Sequence, residues 1–215
     1  MAIVITFSGL VGTGKSVCSK YVSSELTKQG FPVYYVRFRK LSLSSFFAKK
    51  KRLVGFQFKE KKTGEPAAGA PQRFTGFELR SPIAFLPFAL YFLWKSYMFQ
   101  ILVKTRYRRD IVIADRYVYD HFAHFKLAEK GHPGIYRLFE KCLPRPNLPF
   151  ILYADFETVR TARPNYCESY IRKNLQNYRY MKELFPQTIF VEANQIKEKA
   201  YSVFSTVEKY VKEQI

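Results

Sequence analysis

Apolar residues fall into five short runs, separated by longer stretches in which they recur every three or four positions. Ala2 to Phe7, Phe31 to Val36, Ile111 to Asp115, Leu148 to Asp155 and Thr188 to Ala193 are brief and rich in β-branched and aromatic residues. Such runs read as strands buried on both faces of a parallel sheet. Between the first two, Val17, Cys18, Tyr21, Val22 and Leu26 recur at helical spacing as far as Gly30, a fitting C-terminal stop. Residues 168 to 184 have helical character, and Ile196, Ala200, Phe204, Val207 and Val211 line one side of a final helix. Strand alternating with helix predicts an α/β fold: a doubly wound, five-stranded parallel sheet with helices on both faces. No internal repeat is visible.

One stretch departs from this pattern. Residues 82 to 103 are apolar on nearly every side, but the uncharged part ends at Trp94, before Lys95, and Pro87 interrupts it. That falls short of the ~18 residues a membrane span requires, so a buried central helix is expected. Contact with a membrane surface or a partner is the alternative, because a helix apolar all round must be covered by something.

The first strand runs straight into Gly9-Leu10-Val11-Gly12-Thr13-Gly14-Lys15-Ser16, which satisfies G-x-x-x-x-G-K-[ST]. Glycines at 9, 12 and 14 let successive N–H groups turn inward at a helix N-terminus, so Gly9, Val11, Gly12, Thr13, Gly14, Lys15, Ser16 and Val17 form the expected ATP site. Lys15 would reach the β and γ phosphates and Ser16 would ligate Mg²⁺. The third apolar run ends in Asp115, where a buried parallel strand presents a metal-organising carboxylate. Arg37 and Arg39, with Phe38 between them, follow the second strand at what would be the ligand end of the sheet and suit an anionic acceptor.

Charge widens the choice of partners rather than narrowing it. The 215 residues carry a formal charge of +19, which favours nucleotide phosphates, nucleic acid or an anionic membrane. Seven of the cations fall between positions 49 and 62 within an irregular, basic insertion at about 41 to 81, and Thr63 to Pro71 reads as a flexible loop. Three widely spaced cysteines (Cys18, Cys142, Cys167) and the absence of a leader pattern suit free thiols and a cytoplasmic location. His121 and His124 have no further His or Cys nearby and read as helix-surface residues, and His132 lies in a Gly-His-Pro-Gly turn.

The P-loop, the strand-borne Asp115-Arg116-Tyr117, the Asp155 to Arg163 segment and the closing Val191-Glu192-Ala193-Asn194 together resemble the thymidylate kinase family of P-loop nucleoside monophosphate kinases. The resemblance covers roughly residues 1 to 40 and 85 to 215. Within the family the chain looks most like short-lidded members of unassigned substrate, which share Asp115-Arg116-Tyr117-Val118-Tyr119-Asp120 and the Pro144-Arg145-Pro146 loop. It implies a single three-layer kinase domain spanning 1 to 215, with a short lid at about 157 to 168. Arg116 would bind the acceptor phosphate, and Arg163, with Arg160 as its reserve, would act as the arginine finger. Trp94, Phe92, Tyr91 or Tyr117 would stack on the acceptor base beside Lys95, and the helix at 88 to 103 would supply a homodimer interface.

The departures from the family bear on the acceptor. Ser8 and Val11 stand where the family carries P-loop carboxylates, and Phe38-Arg39 replace Glu-Pro after the second strand. A neutral hydroxyl acceptor is helped by a carboxylate base, whereas a phosphate monoester is already a nucleophile and needs charge neutralisation. Arginines at 37 and 39 therefore favour a phosphorylated acceptor. Two alternatives stay open: a P-loop kinase of another small-molecule hydroxyl or phosphate acceptor, with or without membrane association, and an ATP-gated nucleic-acid binder acting through 49 to 62.

Overall fold

The computed structural model describes residues 2–38, 41, 82–123, 133–192 and 194–214. The expectations for Arg39, the basic stretch 49 to 62, the loop at 63 to 71, His124 and His132 lie outside the described residues.

The strands are β1 (Ile3–Gly9), β2 (Val33–Arg37), β3 (Ile111–Asp115), β4 (Leu148–Tyr153) and β5 (Ile189–Glu192). They form one all-parallel sheet in the order β2-β3-β1-β4-β5. Because side chains alternate across a strand, each apolar run feeds two cores at once. Ile3, Ile5 and Phe7 join Ile111, Ile113, Leu148, Phe150 and Leu152 on one face, while Val4, Val112, Ala114, Ile151 and Tyr153 join the core on the other.

Helices cover both faces, as the apolar runs require. Against the first lie α1 (Lys15–Lys28) and α7 (Ile196–Gln214), through Cys18, Val22, Leu26, Ala200, Val203, Val207 and Val211. Against the second lie α2 (Pro82–Arg106), α3 (Val118–Phe122), α4 (Pro133–Cys142), α5 (Phe156–Ala162) and α6 (Glu168–Leu184). The result is a three-layer α/β fold. Two details differ from the periodicity reading. Val203 rather than Phe204 completes the buried stripe of α7, and Ile196 is 40% exposed, sitting beside the loop that leaves β1.

Helix α2 is a core helix on one side only. Ala89, Phe92, Ser96, Phe99, Leu102 and Val103 are buried, whereas Leu86, Leu90, Tyr91, Trp94, Tyr97 and Ile101 are each at least half exposed. Pro87 does not end it; in the second turn a proline costs one backbone bond without breaking the helix. By length and composition Leu86–Arg106 would cross a membrane, yet its inner face belongs to the core of the domain.

Candidate active site

Strand register brings the predicted residues to one end of the sheet. Asp115 pairs with Phe7 on one side and with Arg37 on the other, so the carboxyl ends of β1, β2 and β3 stand together. Ligands of open parallel sheets bind at that end.

The loop between β1 and α1 is built on glycine. Gly9, Gly12 and Gly14 have φ of 143°, 100° and 90°, and Gly14 serves as the N-cap of α1, whose first turn no side chain caps. A Cβ on Gly9 would collide with the Leu152 carbonyl oxygen, so β4 packs directly against the root of the loop. Uncapped N–H groups at the positive end of a helix, approachable because no Cβ intervenes, make an anion cradle. Val11, Gly12 and Gly14 are half-buried, Thr13 is buried and bonds the Leu10 carbonyl at 2.8 Å, Ser16 is exposed, and Val17 is half-buried.

Lys15 is buried and donates to the carbonyls of Gly9 (2.5 Å) and Leu10 (2.7 Å), so its ammonium lies inside the loop. Burial pushes its pKa from 10.5 down to about 8. Asp120 and Asp115 oppose that shift, and Arg116 and Arg163 add to it. Two carboxylates and two guanidiniums, from the 115–120 stretch and from Arg163, thus act on one lysine.

Each of those charges is held by its own element. Asp115 ends β3, half-buried, close enough to the Tyr35 hydroxyl that its carboxylate, after burial, raises the Tyr35 pKa. Arg37 is exposed and acts on the same hydroxyl. Arg116 is the one non-glycine residue with positive φ (65°) among those described, and its N–H donates to the Phe7 carbonyl at 3.1 Å. Left-handed backbone at an arginine costs about 1 kcal/mol or more and persists where the surroundings over-determine it, commonly at functional sites.

Arg163 follows α5, which Asp155 caps through the Thr158 N–H at 2.8 Å. A Cβ on Gly12 would lie 3.4 Å from the Arg163 side chain and 3.5 Å from Ala162, so this short segment rests on the loop. The Arg163 Nε is buried without a hydrogen-bond partner among the described residues. Arg160 turns away, toward α6. It pairs with Glu168 at 3.6 Å and lies over the Phe156 ring, which removes it from the loop it was expected to back up.

The aromatic acceptor residues require correction. Tyr117 is buried, donates to the Pro144 carbonyl at 2.7 Å and packs on Phe38 (4.9 Å between ring centres) and Phe99, so both its ring and its hydroxyl are committed to the core. Trp94 is 54% exposed on the outer side of α2. At ~100° per residue it points away from Phe92, and Phe92 is the ring that faces α3, stacking on His121 at 4.0 Å. Tyr91 leans on Phe92 and Trp94 at the edge of that outer face. Lys95 is buried instead, with Nζ 5.6 Å from the Phe38 ring centre and 5.7 Å from that of Tyr91.

Sequence reasoning assigned no role to two buried charges that hold the loop. Asp120, 1% exposed, accepts the Gly9 N–H at 2.9 Å and the Tyr178 hydroxyl at 2.5 Å; its second oxygen has no hydrogen-bond partner among the described residues. Burial, followed by the Asp120 charge, raises the Tyr178 pKa well above 10. Lys199 donates to the Tyr153 carbonyl at 2.6 Å and the Thr13 carbonyl at 3.3 Å, with its pKa lowered by burial. The repeated Asp in Asp115 to Asp120 was the available signal for the first. Nothing local marks Lys199.

A parallel sheet of this order, with a glycine loop and Lys15 after its first strand, is a P-loop kinase-like fold. Among solved structures the chain is similar to a thymidylate kinase from Ehrlichia chaffeensis, with a TM-score of 0.52 and 16% sequence identity over 96% of this chain and 98% of that one. No protein-family model matches the chain, and no curated protein matches it. At that identity the likeness establishes the fold and leaves the reaction to be argued from the site.

Proposed function

We propose that the protein is an ATP- and Mg²⁺-dependent kinase of a phosphorylated acceptor, with a thymidylate-kinase-like reaction in which a nucleoside monophosphate such as dTMP becomes the diphosphate and ATP becomes ADP. The observation that carries this reading is the placement of Asp115 and Arg116 beside Phe7, at the root of the glycine loop, and of Arg163 against Gly12, with Lys15 buried inside the same loop.

In this scheme the loop amides from Val11 to Ser16 and the Lys15 ammonium hold the ATP phosphates, and Lys15 exchanges the Gly9 and Leu10 carbonyls for phosphate oxygens. The Ser16 hydroxyl and the Asp115 carboxylate fit a hard, oxygen-binding cation, and Mg²⁺ when bound neutralises charge on the transferring group. Arg116, with Arg37 at its side, neutralises the acceptor phosphate. One oxygen of that phosphate attacks the γ phosphorus as the bond to the ADP oxygen breaks. The nucleophile is already ionised, so no proton must be removed, and cations rather than a base line the acceptor side. Arg163, seated over Gly12, stabilises the equatorial oxygens in the transition state.

The test is ADP release from Mg²⁺-ATP against a panel of nucleoside monophosphates, their parent nucleosides and small phosphorylated compounds, with Lys15→Ala as control. Turnover with one monophosphate that the control lacks is the expected result. ATP binding with no acceptor-stimulated turnover across the panel would overturn the reading.

A further inference from the structure

The surface of α2 and the lower edge of the sheet carry features that the kinase reading does not use. Leu86, Leu90, Trp94, Tyr97 and Ile101 recur every three or four residues and are 51 to 59% exposed, so they form one continuous apolar stripe. Lys104 continues that spacing at the end of the helix, roughly 27 Å from Leu86 at 1.5 Å per residue. Beside it lies a cavity of about 190 Å³ lined by Lys104, Arg108 and Arg145, with Gln100 and Asn147 as neutral polar groups. This cavity sits at the amino-terminal end of β1, next to Ala2 and Val4, on the opposite edge of the sheet from Lys15.

We infer that this face docks on an anionic lipid bilayer, with the stripe lying in the interface and the Lys104–Arg108–Arg145 cavity receiving a lipid phosphate headgroup. Three observations favour that occupant. First, no acidic residue occurs from Pro82 to Arg109, a stretch holding Lys95, Lys104, Arg106, Arg108 and Arg109. Second, the only ion pair that the cavity cations make among the described residues is that of the exposed Arg145 with the largely buried Glu140, stretched to 4.0 Å. Third, the chain carries +19, so a second copy brings like charge to this face, whereas an anionic bilayer brings the opposite charge. The inner side of α2 is packed in the core, so the helix lies on the bilayer and does not cross it.

Trp94 is the single tryptophan of the chain and stands in the middle of the stripe. Its fluorescence therefore reports the contact directly. The full chain is mixed with vesicles of phosphatidylcholine alone and with vesicles containing phosphatidylserine, at low and at 0.5 M salt, and binding is followed by sedimentation and by Trp94 emission. Binding to the anionic vesicles at low salt, with a blue shift and quenching by brominated acyl chains, is expected. Lys104→Ala, Arg108→Ala and Arg145→Ala together should weaken binding by roughly a hundredfold, since each interfacial cation is worth about a fivefold factor. Ile101→Ser should reduce quenching while leaving the salt dependence in place. Circular dichroism checks that each variant is folded.

No binding to anionic vesicles at low salt would overturn the inference, as would binding that the triple variant leaves unchanged. A concentration-dependent dimer that shields Trp94 and abolishes vesicle binding would overturn it in favour of a second copy, and preferential binding of the same face to single-stranded DNA would overturn it in favour of nucleic acid. None of these readouts depends on phosphoryl transfer.

Discussion

Asp120→Ala removes one buried carboxylate and strands two donors that nothing else can satisfy. The Gly9 N–H at 2.9 Å and the Tyr178 hydroxyl at 2.5 Å both lie in the interior and both lose their acceptor. Hydrogen bonds to a charged partner are worth about 1.5 to 3 kcal/mol each, so the gross loss is roughly 3 to 6 kcal/mol. Removing a carboxylate whose second oxygen is unpaired returns part of that, leaving a net destabilisation of about 2 to 4 kcal/mol. Tyr178→Phe deletes one donor cleanly and should cost about 1 to 2 kcal/mol. Urea unfolding at pH 7, compared at constant m value, measures both changes. The double variant tests the argument more sharply than either single one. Once Asp120 is gone the Tyr178 hydroxyl has nothing left to lose, so the two effects should fall short of additivity by about 1 to 2 kcal/mol. A stability change for Asp120→Ala below about 0.5 kcal/mol, or additivity within that margin, would refute the reasoning. ATP affinity should fall in parallel, because the Gly9 amide fixes the start of the phosphate loop.

Three further consequences can be measured directly. Lys15 has a folded pKa of about 8 against 10.5 when unfolded, so between those values the unfolded chain binds more protons and stability rises with pH, by roughly 3 kcal/mol in total; Lys15→Met should flatten thermal stability across that window, and a persisting slope would assign the titration elsewhere. Arg163→Ala should lower kcat by about 10² to 10³-fold with the KM for ATP nearly unchanged, whereas Arg160→Ala, which breaks an exposed pair with Glu168, should change kcat by less than about tenfold; equal losses would contradict the placement of Arg163 over Gly12. Lys199→Met replaces a buried tether to the Tyr153 and Thr13 carbonyls with an apolar chain of similar length, so ATP affinity should fall by more than stability does, as calorimetric titration beside urea unfolding would show.

What could be read from the chain divides along a physical line. The glycine loop was legible because its conformation is written in consecutive residues: glycine where φ is positive, then Lys15 and Ser16 at the start of α1. The strands were legible because burial on both faces leaves short uninterrupted apolar runs, and Asp115 followed from its place at the end of one. Asp120 meets Gly9 across 111 residues and Tyr178 across 58, and Lys199 meets Thr13 across 186, so no local pattern exposes those contacts. The surroundings of Tyr117 and Trp94 were hidden for a related reason. An aromatic ring has the same local signature whether it faces core, ligand or solvent, and only the packing of Phe38 and Phe99 around Tyr117 and the outward turn of α2 at Trp94 decide between them.

The long-range contacts missed by local reading are also the ones that hold the loop in one shape. Glycine permits the required backbone conformations but does not select among them, so selection must come from outside the loop. It comes from four directions: the Leu152 carbonyl and Ile196 close against Gly9 and Gly14, Asp120 grips the Gly9 amide, Lys199 grips the Thr13 carbonyl, and the segment from Val159 to Arg163 covers Gly12. Two of these grips are buried charges, which are poor ways to gain stability and effective ways to fix geometry when the groups they hold on the loop are backbone groups. Tyr178 extends the arrangement into α6, the helix that follows Arg163, so Asp120 joins the root of the phosphate loop to the element on which the covering segment ends. A shift of α6 that lifts Arg163 from Gly12 would therefore strain the Tyr178–Asp120 bond, linking arrival of the guanidinium to the set of the loop. Under the proposed kinase reading, that linkage would couple the approach of Arg163 to the geometry of the loop that holds the phosphates.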